Sequence, residues 1–235
     1  MKPTRIRPAL KRLTLMFLLT GLPAYGQLVL TSNWNGDQAI TDNDPSGVAF
    51  PFTLSDPAFT TIGNVSVSLN LSGGYNGDLY AYLSHGSGIS VLLNRVGRVD
   101  QNEDGYGNPG FAVTFSGKVS LDIHEYQSLS PTYNGGGQLT GVWAADGRNL
   151  DPATAAPTFN AAPRDATLSS FTGTDPNGSW TLFLADLSSG GISTLNSWSI
   201  EVTAVPEPAR TGLAISIILG LTAMARRRGV TGSLH

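Results

Sequence analysis

Residues 173–202, GTDPNGSWTLFLADLSSGGISTLNSWSIEV, confine this chain to a β fold. Asp175-Pro176-Asn177-Gly178 is a turn by composition: proline presets φ, and Asn and Gly tolerate positive φ. In the run that follows, Trp180, Leu182 and Leu184 share one face of an extended strand. Thr181, Phe183 and Ala185 share the other. Ser188-Ser189-Gly190-Gly191 turns the chain, and Trp198, Ile200 and Val202 come back in phase. The pattern predicts a β-hairpin in the core of a sandwich, with two tryptophans supplying much of the buried apolar surface.

The rest of the chain repeats the theme. Residues 28–34 read as a short strand ended by Asn35-Gly36-Asp37, and Asp42-Asn43-Asp44-Pro45-Ser46-Gly47 reads as a turn. Residues 48–54 form a second strand, which Pro51 confines to an edge or a bend. Residues 62–71 alternate cleanly, Val65, Val67, Leu69 and Leu71 against Ser66, Ser68 and Asn70, so one face is buried and one is wet. Residues 78–84 and 89–95 make a hairpin around Gly86-Ser87-Gly88. Residues 99–110 are a polar loop, and 111–115 are another strand. Strands this dense, with Gly-rich turns and no helical period, predict an all-β sandwich.

Residues 122–165 are different: a long loop rich in Gly, Ala, Pro and Asn. Within it, 139–143 predict a short strand with a buried Trp143. Ala144 to Arg148 predict a turn, and 152–163 a surface excursion. Long loops in compact domains are functional or disordered, so a specific ligand is sought here first.

Both ends read as addresses. Lys2, Arg5, Arg7, Lys11 and Arg12 precede an apolar run at 13–22, and Ala24-Tyr25-Gly26 offers a cleavage site before Gln27. Residues 1–26 are thus expected to be a signal peptide, with its signal helix, and 27–204 the exported domain. At the other end, Val205, Pro206, Glu207 and Pro208 precede fifteen uncharged residues, then Arg226, Arg227 and Arg228. Fifteen residues of helix span about 22 Å, so snorkelling arginines must complete a transmembrane helix. The arginines belong on the cytoplasmic side.

Removing both ends changes the electrostatics. Residues 27–204 hold five of the 14 basic residues and 16 of the 17 acidic ones, a net charge of −11. That argues against nucleic acid and anionic lipid as partners. There is no cysteine, and about 178 residues suffice to bury a core without disulfides.

Two resemblances follow from these residues. The front half spells G-D-L-Y-A-Y-L at 77–83 with G-x-x-x-L-L-x-R from Gly88 to Arg95, and Ala39-Ile40-Thr41-Asp42-Asn43 upstream. The back half spells G-x-W-x-L-x-x-x-D and L-x-S-W-x-I-x-V. Together they resemble the P domain (P/Homo B domain) of subtilisin-like proprotein convertases. The module's prolines in I-P-D-N and in its S-P-S-G turn are replaced here. The resemblance spans 39–202 and implies a jelly-roll-like β-sandwich of about eight strands. The order V-P-E-P, apolar helix, Arg cluster over residues 205–235 resembles the PEP-CTERM sorting signal of Gram-negative bacteria. It implies transient membrane anchoring, recognition by an exosortase-like processing enzyme and transfer to the cell surface or matrix.

Sites for chemistry are few. Asp100, Asn102 and Asp104 follow the first half of a calcium loop, D-x-N-x-D-G, but the twelfth position is Phe111. Calcium would need ligands from elsewhere, with Asp78 or Asp186 as the candidates; Asp42 and Asp44 form a separate, weaker candidate site that also reads as a turn using Asx chemistry. His85 in G-S-G and His124-Glu125 match neither a nucleophile elbow nor H-E-x-x-H. No catalytic residue is expected, and no segment resembling the convertases' catalytic domain. The expected role is therefore non-enzymatic, a structural or adhesive surface or matrix protein. The alternatives are a module associated in trans with a secreted subtilisin-like serine protease, and a jelly roll binding extracellular polysaccharide through Tyr75, Tyr106, Tyr133 and Trp143.

Overall fold

The computed structural model describes residues 29–57, 59–86 and 88–204. Both predicted addresses, the signal peptide and the sorting tail, lie outside them. Among the described residues no helix is long and apolar enough to cross a membrane.

The strands are β1 (Val29–Ile40), β2 (Asp44–Leu54), β3 (Ile62–Gly73), β4 (Leu79–His85), β5 (Gly88–Asn94), β6 (Gly110–Ser116), β7 (Thr132–Tyr133), β8 (Leu139–Trp143), β9 (Gly178–Asp186) and β10 (Ser193–Ala204). They build an all-β sandwich of two sheets, ordered β1-β10-β3-β6-β8-β7 and β2-β9-β4-β5. The helical pieces among the described residues are short 3-10 turns. The core lies between the sheets. Val65, Val67, Leu69 and Leu71 of β3 meet Leu79, Ala81 and Leu83 of β4 there, with Leu182 and Leu184 of β9, and all are buried. The alternation of β3 therefore has its predicted effect: its serines face outward.

The predicted hairpin at 173–202 is not one. β9 pairs with β2 and β4, whereas β10 pairs with β1 and β3 in the other sheet. The turn at 187–192 is an arch between sheets about 10 Å apart. Trp180 and Trp198 still share the core, but they enter it from opposite sides. Period-2 alternation specifies which face is buried and is silent on which strand is the neighbour.

Two other boundaries move. Asn35-Gly36-Asp37 does not end β1; it forms a bulge between Asn35 and Gln38, with Asp37 at φ 25°. The predicted turn at Ala144 to Arg148 is instead an irregular, buried segment laid along β5. Asp146 N donates to Leu92 O at 3.2 Å and Gly147 N to Val91 O at 2.9 Å, which covers the free edge of β5. Strand β8 forms where expected, with Trp143 buried, and lies parallel to β6. Pro51 sits on β2, an edge strand, the position to which proline in a sheet is confined. The excursion at 152–163 is only partly superficial, because Phe159 is buried and stacks on His124 with centroids 5.7 Å apart.

Candidate functional site

Three aspartates far apart in sequence meet at one end of the sandwich. Asp186 ends β9, in register with Leu79 of β4 and Asp44 of β2. Asp78 closes the 3-10 turn that leads into β4, and its carbonyl accepts from Leu187 N at 2.9 Å. Asp42 lies in the β1–β2 turn and accepts from Gly190 N at 3.1 Å and Gly191 N at 3.4 Å. These are the acidic residues of the three motifs that carry the P-domain resemblance. Gly77 is required because residues 76–78 press on the backbone at Asp104 and Gly105, where a Cβ would collide.

Arg95 holds this end together from a left-handed backbone, φ 49°. Its Nε donates to Gly77 O at 3.1 Å, and its Nη2 donates to Ser188 Oγ at 2.8 Å while standing 3.6 Å from Asp78 Oδ1. Burial raises the Asp78 pKa; Arg95 opposes that, and Asp104 and Asp42 reinforce it. Burial likewise pushes Asp186 up to about 6, against a hydrogen bond from Ser188 and with the charges of Asp78 and Asp42 adding to the rise. Its Oδ2 is buried without a hydrogen-bond partner.

A pH-dependent stability follows. Between pH about 4 and 6 folded Asp186 keeps a proton that the unfolded chain has shed, so stability falls as pH rises through that window. In EDTA at pH 8, Asp186→Asn is expected to stabilise the full chain by about 1–2 kcal/mol. The gain should vanish near pH 4. Urea denaturation at both pH values reads this directly, and a loss at pH 8 would contradict it.

The calcium residues are placed as follows. Asp104 lies within electrostatic reach of Asp78. Asp100 is exposed, and its backbone N–H donates to Asn160 Oδ1 at 3.2 Å. Asn102 turns its amide inward, donating to Gly97 O at 3.0 Å and Gly105 O at 2.9 Å, so it braces the loop. Among the described residues no group of three or more His, Cys, Asp or Glu is arranged to hold a metal ion.

A second cluster clamps the 122–165 segment. Asp146 is fully buried; Oδ2 lies 2.7 Å from His124 Nδ1, and Oδ1 lies 3.2 Å from Arg148 Nη1. Arg148 also reaches Asp122 at 3.0 Å. Burial alone would lower the Arg148 pKa, but Asp146 and Asp122 outweigh it and raise it. His124 Nε2 faces Arg98 O at 3.1 Å. His85 is likewise committed: Nδ1 faces Ser179 O at 2.9 Å, Nε2 faces Asp175 O at 2.7 Å, and the ring stacks on Trp180 at 4.1 Å. Each ring nitrogen of these two histidines is thus occupied by a carbonyl or a carboxylate, and none by a serine or threonine hydroxyl.

The four loop aromatics do not make a sugar platform. Trp143 is buried and donates to Thr140 O, Tyr106 packs edge-on against Tyr126, and Tyr75 lies over Gly107. Of the four, Tyr133 is the ring that is well exposed. Sequence reasoning missed a different aromatic group. On the outer face of the β2-β9-β4-β5 sheet, half-buried Tyr82 stacks on half-buried Phe183 at 4.9 Å, with Tyr80 edge-on beside them. Its signal was the outward parity of Tyr80 and Tyr82 in β4 and of Phe183 in β9.

No protein-family model matches the chain, and no curated protein does. Solved structures resemble it, two of them as follows. One is the serine protease of Aeromonas sobria, at 16% identity and TM-score 0.43, covering 79% of this chain and 28% of that one. The other is the complex of the Aeromonas sobria serine protease and the chaperone ORF2, at 16% identity and TM-score 0.41, covering 76% and 27%. The chain spans just over a quarter of the length of these solved chains. What stands established is an all-β sandwich of two sheets, closed at one end by three buried or half-buried aspartates and clamped along its insertion by Asp146.

Proposed function

We propose that this chain is an exported, non-enzymatic β-sandwich of the cell surface or extracellular matrix. In this reading an exosortase-type enzyme recognises Val205, Pro206, Glu207 and Pro208, with Arg226, Arg227 and Arg228 as the stop on the cytoplasmic side. The strand order β1-β10-β3-β6 facing β2-β9-β4-β5 supports the jelly-roll assignment and the P-domain resemblance. The observation that carries the non-enzymatic reading is the commitment of His85 and His124, since a general base needs a free ring nitrogen facing its nucleophile. The test is the intact mass of the native protein in culture supernatant and envelope. A supernatant species ending near Val205 supports the reading. A full tail found in the envelope alone would overturn the sorting step.

The Tyr80, Tyr82 and Phe183 patch favours a second reading, a module associated in trans with a secreted subtilisin-like serine protease. Clustered half-buried aromatics on a flat face suit docking against protein. Such a protease should lose activity more slowly on heating when the chain is present, and Tyr82→Ser with Phe183→Ser should remove the protection. Equal half-lives with and without the chain would set this reading aside.

Calcium is proposed with Asp100, Asn102, Asp104 and Asp78 as its oxygen donors, chemistry that suits a hard cation. EGTA should then lower the melting temperature, and Asp100→Ala should remove the difference; an unchanged melting temperature rejects it.

A further inference from the structure

A groove of about 610 Å³ lies where the 122–165 segment meets the β4–β5 turn and the turn before β9. Its chemistry is one-sided. His85 lines it, but both ring nitrogens are spent on Ser179 O and Asp175 O. Ser170 Oγ donates to Ile89 O at 2.7 Å, and Thr174 Oγ1 donates to Phe171 O at 2.7 Å. The Asn177 amide donates to Phe59 O at 2.6 Å and to Asp175 Oδ1 at 2.8 Å. The donors of Ser170, Thr174 and Asn177 are used inside the protein, and both His85 nitrogens face carbonyl oxygens. What remains facing the groove is mostly acceptors: hydroxyl lone pairs, the second oxygen of Asp175 and the exposed carboxylate of Asp165. Asn149 also lines the groove, with an exposed side chain.

The charge is one-sided too. No lysine or arginine lines the groove, while Asp165 and Asp175 both do. Hydrogen bonds from Asn177 hold the Asp175 carboxyl below its usual range, so it is ionised at neutral pH. An anion is excluded. A sugar hydroxyl could donate to these acceptors, but it carries no charge to set against the two carboxylates. A guanidinium or ammonium group donates only and carries the opposite charge.

We propose that this groove binds the cationic end of an arginine or lysine side chain carried on a peptide or protein. The proposal is independent of the sorting and protease readings. The test titrates the full chain with an acetylated, amidated Ala-Ala-Arg-Ala-Ala peptide, its uncharged citrulline twin, and agmatine as a free cation. The arginine peptide should bind about tenfold more tightly than the citrulline peptide, and more weakly as salt rises. Asp165→Asn, a change at an exposed side chain with no hydrogen bond or ion pair among the described residues, should weaken it about three- to fivefold. Equal binding of the two peptides, no binding, or indifference to Asp165→Asn would overturn the proposal. Agmatine binding as tightly as the peptide would overturn its peptide part.

Discussion

Asp146→Ala should be the most damaging single substitution in the insertion, costing about 3–5 kcal/mol. Asp146 is fully buried, and both its oxygens are in use. Oδ2 accepts from Asn94 N at 3.3 Å and lies 2.7 Å from His124 Nδ1; Oδ1 accepts from Arg148 N at 3.3 Å and from Nη1 at 3.2 Å. Removing the carboxylate leaves a buried guanidinium short of a counter-ion and a buried ring nitrogen without a partner, which is dearer than the pair itself is worth. The backbone around it is what covers the edge of β5, so the loss spreads into the sheet. Urea denaturation at pH 7 checks this, with exposed Glu103→Ala expected to stay within about 0.5 kcal/mol of the parent. Asp146→Ala in an Arg148→Met background should cost less, because one stranded charge has gone. Equal costs in the two backgrounds would deny the coupling.

Trp180→Ala is expected to cost a similar amount, about 3–5 kcal/mol, by a different route. The indole is fully buried between Phe171 at 5.1 Å and the His85 ring at 4.1 Å, and its Nε1 donates to Pro176 O at 2.9 Å. Deletion leaves a large cavity and frees the turn that precedes β9. Trp180→Phe should recover most of the loss but not the hydrogen bond, which is worth about 1 kcal/mol. Against a total stability of about 5–15 kcal/mol, the alanine variant should show a much lower denaturation midpoint. A cost below about 1.5 kcal/mol would mean that the core closes around the gap.

What could be read in advance follows from the range of the interactions. The β4–β5 hairpin was legible because alternation and a Gly-rich turn are local, and so was β8 with its buried tryptophan. The edge position of β2 was legible from Pro51 alone. The sheet membership of β9 and β10 was not, since the same alternation suits a hairpin or an arch. The meeting of Asp42, Asp78 and Asp186 was hidden for a related reason: each is a calcium candidate by sequence, but nothing local makes the three neighbours. Asp146 was assigned to a turn, although its partners His124 and Asn94 lie 22 and 52 residues away. Only packing brings those together.

The position of β10 has a consequence for how the chain is made. The last strand lies between β1 and β3, not at the margin of its sheet. A chain emerging amino-terminus first therefore holds β1 without its neighbour until residues near 204 are free. Such non-local pairing makes folding slow, and the unpaired strands are open to association in the meantime. Synthesis delivers nearly the whole domain before this sheet can close, which keeps the growing chain in an unfolded, threadable state for as long as its last strand is missing.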